Sequence, residues 1–158
     1  MCSVGSRPAK PDGPMDFEHL LGLHTGTHQE PLPIADIDPI VARALGAHVR
    51  RVFLSAETVR KQLAHHRALP ISAYRCAKVC LVRGEYRQDG PRSAVVLFTD
   101  TVWFGTHFRA YVKATRAGDE LYLASFLMMR DRDLRREQRK PYPIIRPSPE
   151  MRKEAEAS

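Results

Sequence analysis

Residues 107–116 read HFRAYVKATR, and their alternation constrains the fold more than any other feature of the chain. Phe108, Ala110, Val112 and Ala114 fall on one face of an extended strand; Arg109, Tyr111, Lys113 and Thr115 fall on the other. A helix would scatter both sets around its circumference. The segment therefore predicts a strand with one apolar face and one basic, hydroxyl-bearing face. Arg116-Ala117-Gly118-Asp119 makes a hairpin turn, and ELYLASFLMM returns as the last strand. Upstream, EYRQ, the turn DGPR and the apolar run SAVVLFTDTVWF supply two further strands, the second bent or split near Asp100. A two-residue loop at Ala117-Gly118 pairs Lys113 with Tyr122 and turns Ser125 to the core. An added bulge residue, which Gly118 permits, moves Ser125 to the Lys113 face.

Helical signals precede the strands. Asp38 is an N-cap, Pro39 suits the first helical position, and the helix through IVARAL stops at Gly46. RRVFL is a short strand. Ser55 caps the next helix, SAETVRKQLAHHRAL, closed by Pro70. Val59, Leu63 and His66 share one stripe of it, and Glu57, Lys61 and His65 a neighbouring one. Ser72 caps a third helix, SAYRCAKVCLVRG, with Ala73, Cys76, Ala77 and Cys80 facing inward and Gly84 ending it. Helices followed by strands argue an α+β fold, N-terminal helices packed on a four-stranded antiparallel sheet. Three regions are expected: a flexible arm over 1–33 with one short helical turn near Phe17–Leu23, a folded domain over 34–140, and an extended or disordered tail over 141–158.

Composition narrows the function classes. No apolar run approaches the roughly 20 residues of a membrane span, and the start of the chain lacks the apolar core of a secretory signal. A cytoplasmic protein without a membrane partner is the expectation. The three cysteines argue against a disulfide framework, and Cys76 and Cys80 lack a second pair to complete a zinc site. His19, His24 and His28 lie in a Gly/Thr-rich arm without a helical zinc motif, so neither a metal nor another cofactor is expected. The net charge of +7, carried largely by arginine, favours a polyanion such as RNA.

The open sheet face is the expected site. Arg109, Tyr111, Lys113 and Thr115 form a row with ~7 Å between neighbours, suited to binding phosphate and stacking a base. An ordinary solvated sheet face has the same appearance. His65 and His66 are the expected proton-transfer groups, since imidazole is the side chain suited to that role near neutral pH; a helix-end histidine also simply favours the helix dipole.

The run FLSAETVRKQLAHH, Tyr74 within SAYR, the RGEYR turn into the sheet and the pair YVKATRAGDELYLASF together give a resemblance. From Val52 to Arg130 the chain resembles the phage-associated nucleases of the barnase, EndoU, colicin and RelE-like superfold (PBECR). The resemblance implies a barnase/RelE-like domain and metal-independent RNA cleavage, in phage or toxin settings. It places the family's helix histidine at His66, with His65 one position away. The family's basic strand residue falls at Lys113 and its hydroxyl at Ser125, with Thr115 as a substitute. Gln62 departs from it, standing where a histidine is often found. The expected function is thus an endoribonuclease that forms a 2′,3′-cyclic phosphate. His66 or His65 moves the proton, Lys113 with Ser125 or Thr115 holds the phosphate, and Arg109, Tyr111, Lys61 and Tyr74 contact RNA. An acidic antitoxin or immunity protein is a fitting partner. The alternatives are a non-catalytic nucleic-acid-binding module and a phage structural or interaction domain on the same fold.

Overall fold

The alternating segment forms the strand that it predicts. The computed structural model describes residues 16–65 and 69–149. In chain order they form α1 (Phe17–Thr25), β1 (Leu32–Asp36), α2 (Pro39–Ala44), β2 (Arg51–Leu54), α3 (Ala56–His65), α4 (Arg75–Arg83), β3 (Glu85–Gly90), β4 (Ser93–Thr99), β5 (His107–Ala114), β6 (Leu121–Met129), α5 (Asp131–Arg139) and β7 (Ile144–Arg146). The class is α+β, with five helices among the described residues.

The sheet is larger than the expected four strands. It has seven, in the order β1-β2-β6-β5-β4-β3-β7, and is open. The meander β3–β6 is antiparallel throughout. β2 joins its edge in parallel with β6, opposing Val52 to Leu121 and Phe53 to Tyr122, while β1 pairs antiparallel with β2. β7 extends the other edge by pairing with β3. Residues 17–25, placed in the flexible arm, form a helix whose Leu20 and Leu23 are fully buried, and residues 144–146, placed in the tail, are a strand.

Local chemistry sets the helix ends. The Asp38 carboxylate accepts from the Ile40 N–H, with Pro39 opening α2. The Ser55 hydroxyl accepts from the Thr58 N–H at the start of α3. The third helix begins later than expected. Ile71–Tyr74 form a 3-10 turn behind Pro70, and α4 starts at Arg75. Ala73, Cys76, Ala77 and Cys80 face inward as expected, all fully buried. Burial pushes the Cys76 thiol up to about 12, with the Asp100 carboxylate adding to the shift, so it stays protonated and unreactive.

The core lies between α1–α4 and one face of the sheet, where Phe108 stacks on Phe126 at 5.0 Å. The other face is not fully open. Leu134 of α5 packs there against a small cluster of Val95, Leu97 and Met129. No helix among the described residues is long and apolar enough to cross a membrane.

Candidate active-site cleft

β2 ends at Leu54, so the upper edge of β6 loses its strand neighbour. Gln62 of α3 takes that place. Its amide nitrogen donates to the Phe126 carbonyl at 2.6 Å, and its amide oxygen accepts from the Phe126 N–H at 2.7 Å. A primary amide offers donor and acceptor side by side, as a peptide edge does. The buried Gln62 thereby continues the ladder and holds α3 against the sheet.

A bulge in β6 completes the arrangement. Tyr111 opposes Ser125 and Val112 opposes Leu123, which leaves Ala124 as the extra residue. Ser125 is thus on the face of Tyr111 and Lys113, and Lys113 opposes Tyr122. Near the turn the register is that of the two-residue loop, Lys113 opposite Tyr122, and the bulge that brings Ser125 to this face lies at Ala124 within β6 rather than at Gly118. The spacing of the apolar residues carries a signal for it. Leu121, Leu123 and Phe126 are all buried, a step of two followed by a step of three across the small pair Ala124-Ser125.

Between α3 and the β5–β6 hairpin lies a cleft of about 470 Å³. Lys61 and Lys113 supply its positive charge; Ser125, Thr58 and Tyr122 are among its hydroxyl groups. None of its lining residues is acidic. Lys113 is exposed, its ammonium 5.3 Å from the centroid of the Tyr111 ring. Lys61 pairs with Glu57 at 2.9 Å along the exposed flank of α3. Tyr122 donates to Glu120 at 2.5 Å, and that carboxylate raises its phenol above the ordinary value, so it stays protonated with its one proton directed to Glu120.

The structure thus brings Lys61, Lys113, Thr115 and Ser125 to one cleft, and Gln62 with them. Other expected contacts lie elsewhere. Tyr74 is fully buried, 5.6 Å from the Phe126 ring centroid, because its ring fills the core under the sheet; it is no surface residue for RNA. Arg109 is drawn to Glu137 of α5 at 3.5 Å, and that helix covers its part of the face. Thr115 lines the cleft, but its hydroxyl donates to Asp119 at 2.7 Å and accepts from the Glu120 N–H, which fixes the hairpin turn. Tyr111 is half-buried beneath Lys113 beside Ser93 and Asp89. His65 is the last residue of α3, one turn beyond Lys61, and His66 lies outside the described residues.

Two histidines of the arm, His19 and His28, make contacts within it. The His19 and His28 rings lie 5.1 Å apart, and His19 Nε2 bonds the Glu30 carbonyl. Among the described residues no three His, Cys, Asp or Glu side chains converge as metal ligands. Comparisons of the chain with models of protein families, with curated proteins and with solved structures find no match.

Proposed function

We propose that the chain is a metal-independent endoribonuclease acting in the α3/β5–β6 cleft. The observation that carries the reading is the cleft's lining: two lysines and a set of hydroxyls, with no acidic side chain among them. Such a surface suits a phosphodiester, whose charge is neutralised by ammonium groups and whose oxygens accept from hydroxyls. On this reading the meander β3–β6 and its helices are a barnase/RelE-like core, to which β1, β2 and β7 are additions. RNA is the fitting polyanion for a basic cytoplasmic protein.

The chemistry follows from charge development. The 2′-hydroxyl attacks the adjacent phosphorus, the phosphorane gains negative charge, and the 5′-oxygen leaves with a proton. Lys113 stabilises the phosphorane, and Ser125 donates to a non-bridging oxygen. A histidine, His66 or His65, moves the proton. Lys61 holds a neighbouring phosphate. The product is a 2′,3′-cyclic phosphate.

The test is cleavage of total RNA in EDTA by wild type, Lys113→Ala and Ser125→Ala. Wild type is expected to yield cyclic-phosphate ends, with Lys113→Ala slower by about a hundredfold or more. RNA that stays intact while the protein binds it in a salt-dependent manner favours the non-catalytic module. Intact RNA without binding favours the structural or interaction domain.

A further inference from the structure

α5 reads DRDLRREQR, and its charges are sorted by side. A helical wheel places Arg132, Arg135, Arg136 and Arg139 within an arc of ~100°, opposite Leu134 and Glu137. The structure keeps that division. Leu134 packs against Val95, Leu97 and Met129, Glu137 is buried, and all four arginines are exposed. The inward side, through Leu134 and Gln138, also walls a second cleft of about 920 Å³ beside the end of β4. The acidic side chains are engaged in seating and capping the helix. Asp131 contacts His107 at 2.6 Å, and Asp133 accepts from the Arg130 N–H at 3.2 Å. Glu137 lies 3.5 Å from Arg109 and 2.6 Å from Lys140. The outward arginines are therefore weakly compensated. Arg136 lies 3.9 Å from Asp133, Arg135 acts on Asp131 through space, and no ion pair among the described residues engages Arg132 or Arg139.

Helix stability does not ask for this pattern. Arg132 stands in the first turn, where the helix dipole disfavours a cation. Arg135 and Arg136 are its neighbours along the stripe, and both are neighbours of Arg139 in turn, so like charges repel at every step. A phosphate backbone turns that repulsion into attraction, because guanidinium forks match phosphate oxygens and successive phosphates form a matching row of negative charge. The stripe is ~10 Å long, enough to meet successive phosphates of one strand. α5 contains no aromatic residue, so it offers unpaired bases no platform of the kind that single-strand grooves use. We propose that the outward face of α5 docks the phosphate backbone of an RNA duplex without reading its sequence. The choice of RNA rests on the ribonuclease reading; the charge pattern does not. His107, where α5 is anchored, and Lys113 stand ~20 Å apart along β5, so a stem held by α5 lies beside the lysine-lined cleft and not inside it.

A mixed-sequence RNA duplex with 2′-O-methyl riboses cannot be cut by 2′-hydroxyl attack, so it reports binding alone. Fluorescence anisotropy in EDTA compares wild type, Arg132→Gln/Arg139→Gln and Arg43→Gln/Arg92→Gln over a range of salt. The last variant removes the same charge from exposed sites on α2 and the β3–β4 turn. The α5 variant is expected to bind about tenfold more weakly and to lower the slope of log affinity against log salt by about two, with the Arg43/Arg92 variant changing both by less than half as much. In thermal unfolding the α5 variant should be at least as stable as wild type, because repelling pairs are removed. Equal losses in the two variants, or undiminished binding in the α5 variant, would overturn the proposal. A single strand of equal length that binds as tightly as the duplex overturns the duplex as occupant, and a DNA duplex that binds more tightly overturns the choice of RNA. Poly-glutamate that binds wild type more tightly than the duplex does, and loses that binding in the α5 variant, assigns the stripe to an acidic protein instead. Wild-type RNA cleavage with undiminished duplex binding in the α5 variant counts against this proposal alone. Weakened duplex binding there, with no wild-type cleavage, counts against the ribonuclease reading alone.

Discussion

Gln62 joins α3 to the edge of β6 with two short hydrogen bonds, and single-atom changes should expose the role of each. Gln62→Ala leaves a buried N–H and a buried carbonyl of Phe126 without partners. A loss of roughly 2–4 kcal/mol of unfolding free energy is expected in chemical denaturation. Gln62→Glu retains the acceptor but loses the donor, and sets a carboxylate against the Phe126 carbonyl. That variant should also be destabilised at neutral pH, and should regain stability in acid as protonation restores a donor. A loss of less than about half a kcal/mol in both would contradict the edge-pairing role. The sequence shows Gln62 only as a departure from an expected histidine, because a side chain standing in for a strand leaves no trace in periodicity. Lys113 was legible from strand alternation; the face of Ser125 stayed open, because the bulge that decides it lies at Ala124 and not at the Gly118 turn. The committed hydroxyl of Thr115 and the buried ring of Tyr74 were not legible, since both depend on contacts between distant segments.

Elements show the same division between local and non-local causes. The meander follows from alternation and turn residues, each set within a few positions. The parallel pairing of β2 with β6 joins segments separated by most of the domain, and no local pattern encodes it. The α5 helix is a charged stretch, DRDLRREQR, whose seat on the sheet no local pattern gives. Its anchors are Leu134, the Arg109–Glu137 pair and the contact of His107 Nε2 with Asp131 at 2.6 Å. The hydrogen bond from His107 and its charge hold the Asp131 carboxyl below its ordinary value. A depressed carboxyl contributes stability above its unfolded value, near pH 4, and loses it as pH falls through the folded value. Asp131→Asn should therefore flatten the acid limb of thermal stability against pH, while an acid limb as steep as wild type would count against the clamp. The hairpin offers a steric test. Gly118 has φ of 76°, and a Cβ there would lie 2.2 Å from the Gly46 carbonyl oxygen. Gly118→Ala should lower stability by more than about 1 kcal/mol, as read by thermal unfolding, and disturb the tie between the His48 N–H and the Gly118 carbonyl.

At the scale of the molecule, two clefts lie toward opposite ends of β5, one at Lys113 and one beside the β4 terminus. The net charge of +7 draws a polyanion to the whole surface, but a specific site should show a counted salt effect. RNA affinity should fall with salt, and Lys113→Ala should reduce the slope of log affinity against log salt by about one phosphate contact. An unchanged slope would remove Lys113 from the RNA interface. Folding places α3 against β6 and gathers two lysines with Ser125. The central claim is that this gathering supports attack by a 2′-hydroxyl. The most direct measurement is single-turnover cleavage, in EDTA, of an RNA oligonucleotide with one 2′-deoxy residue at a mapped scissile position. The account predicts that cleavage stops at that position alone and persists at other sites with cyclic-phosphate ends. Cleavage through the deoxy position, or none in the unmodified oligonucleotide without an added metal, would contradict it.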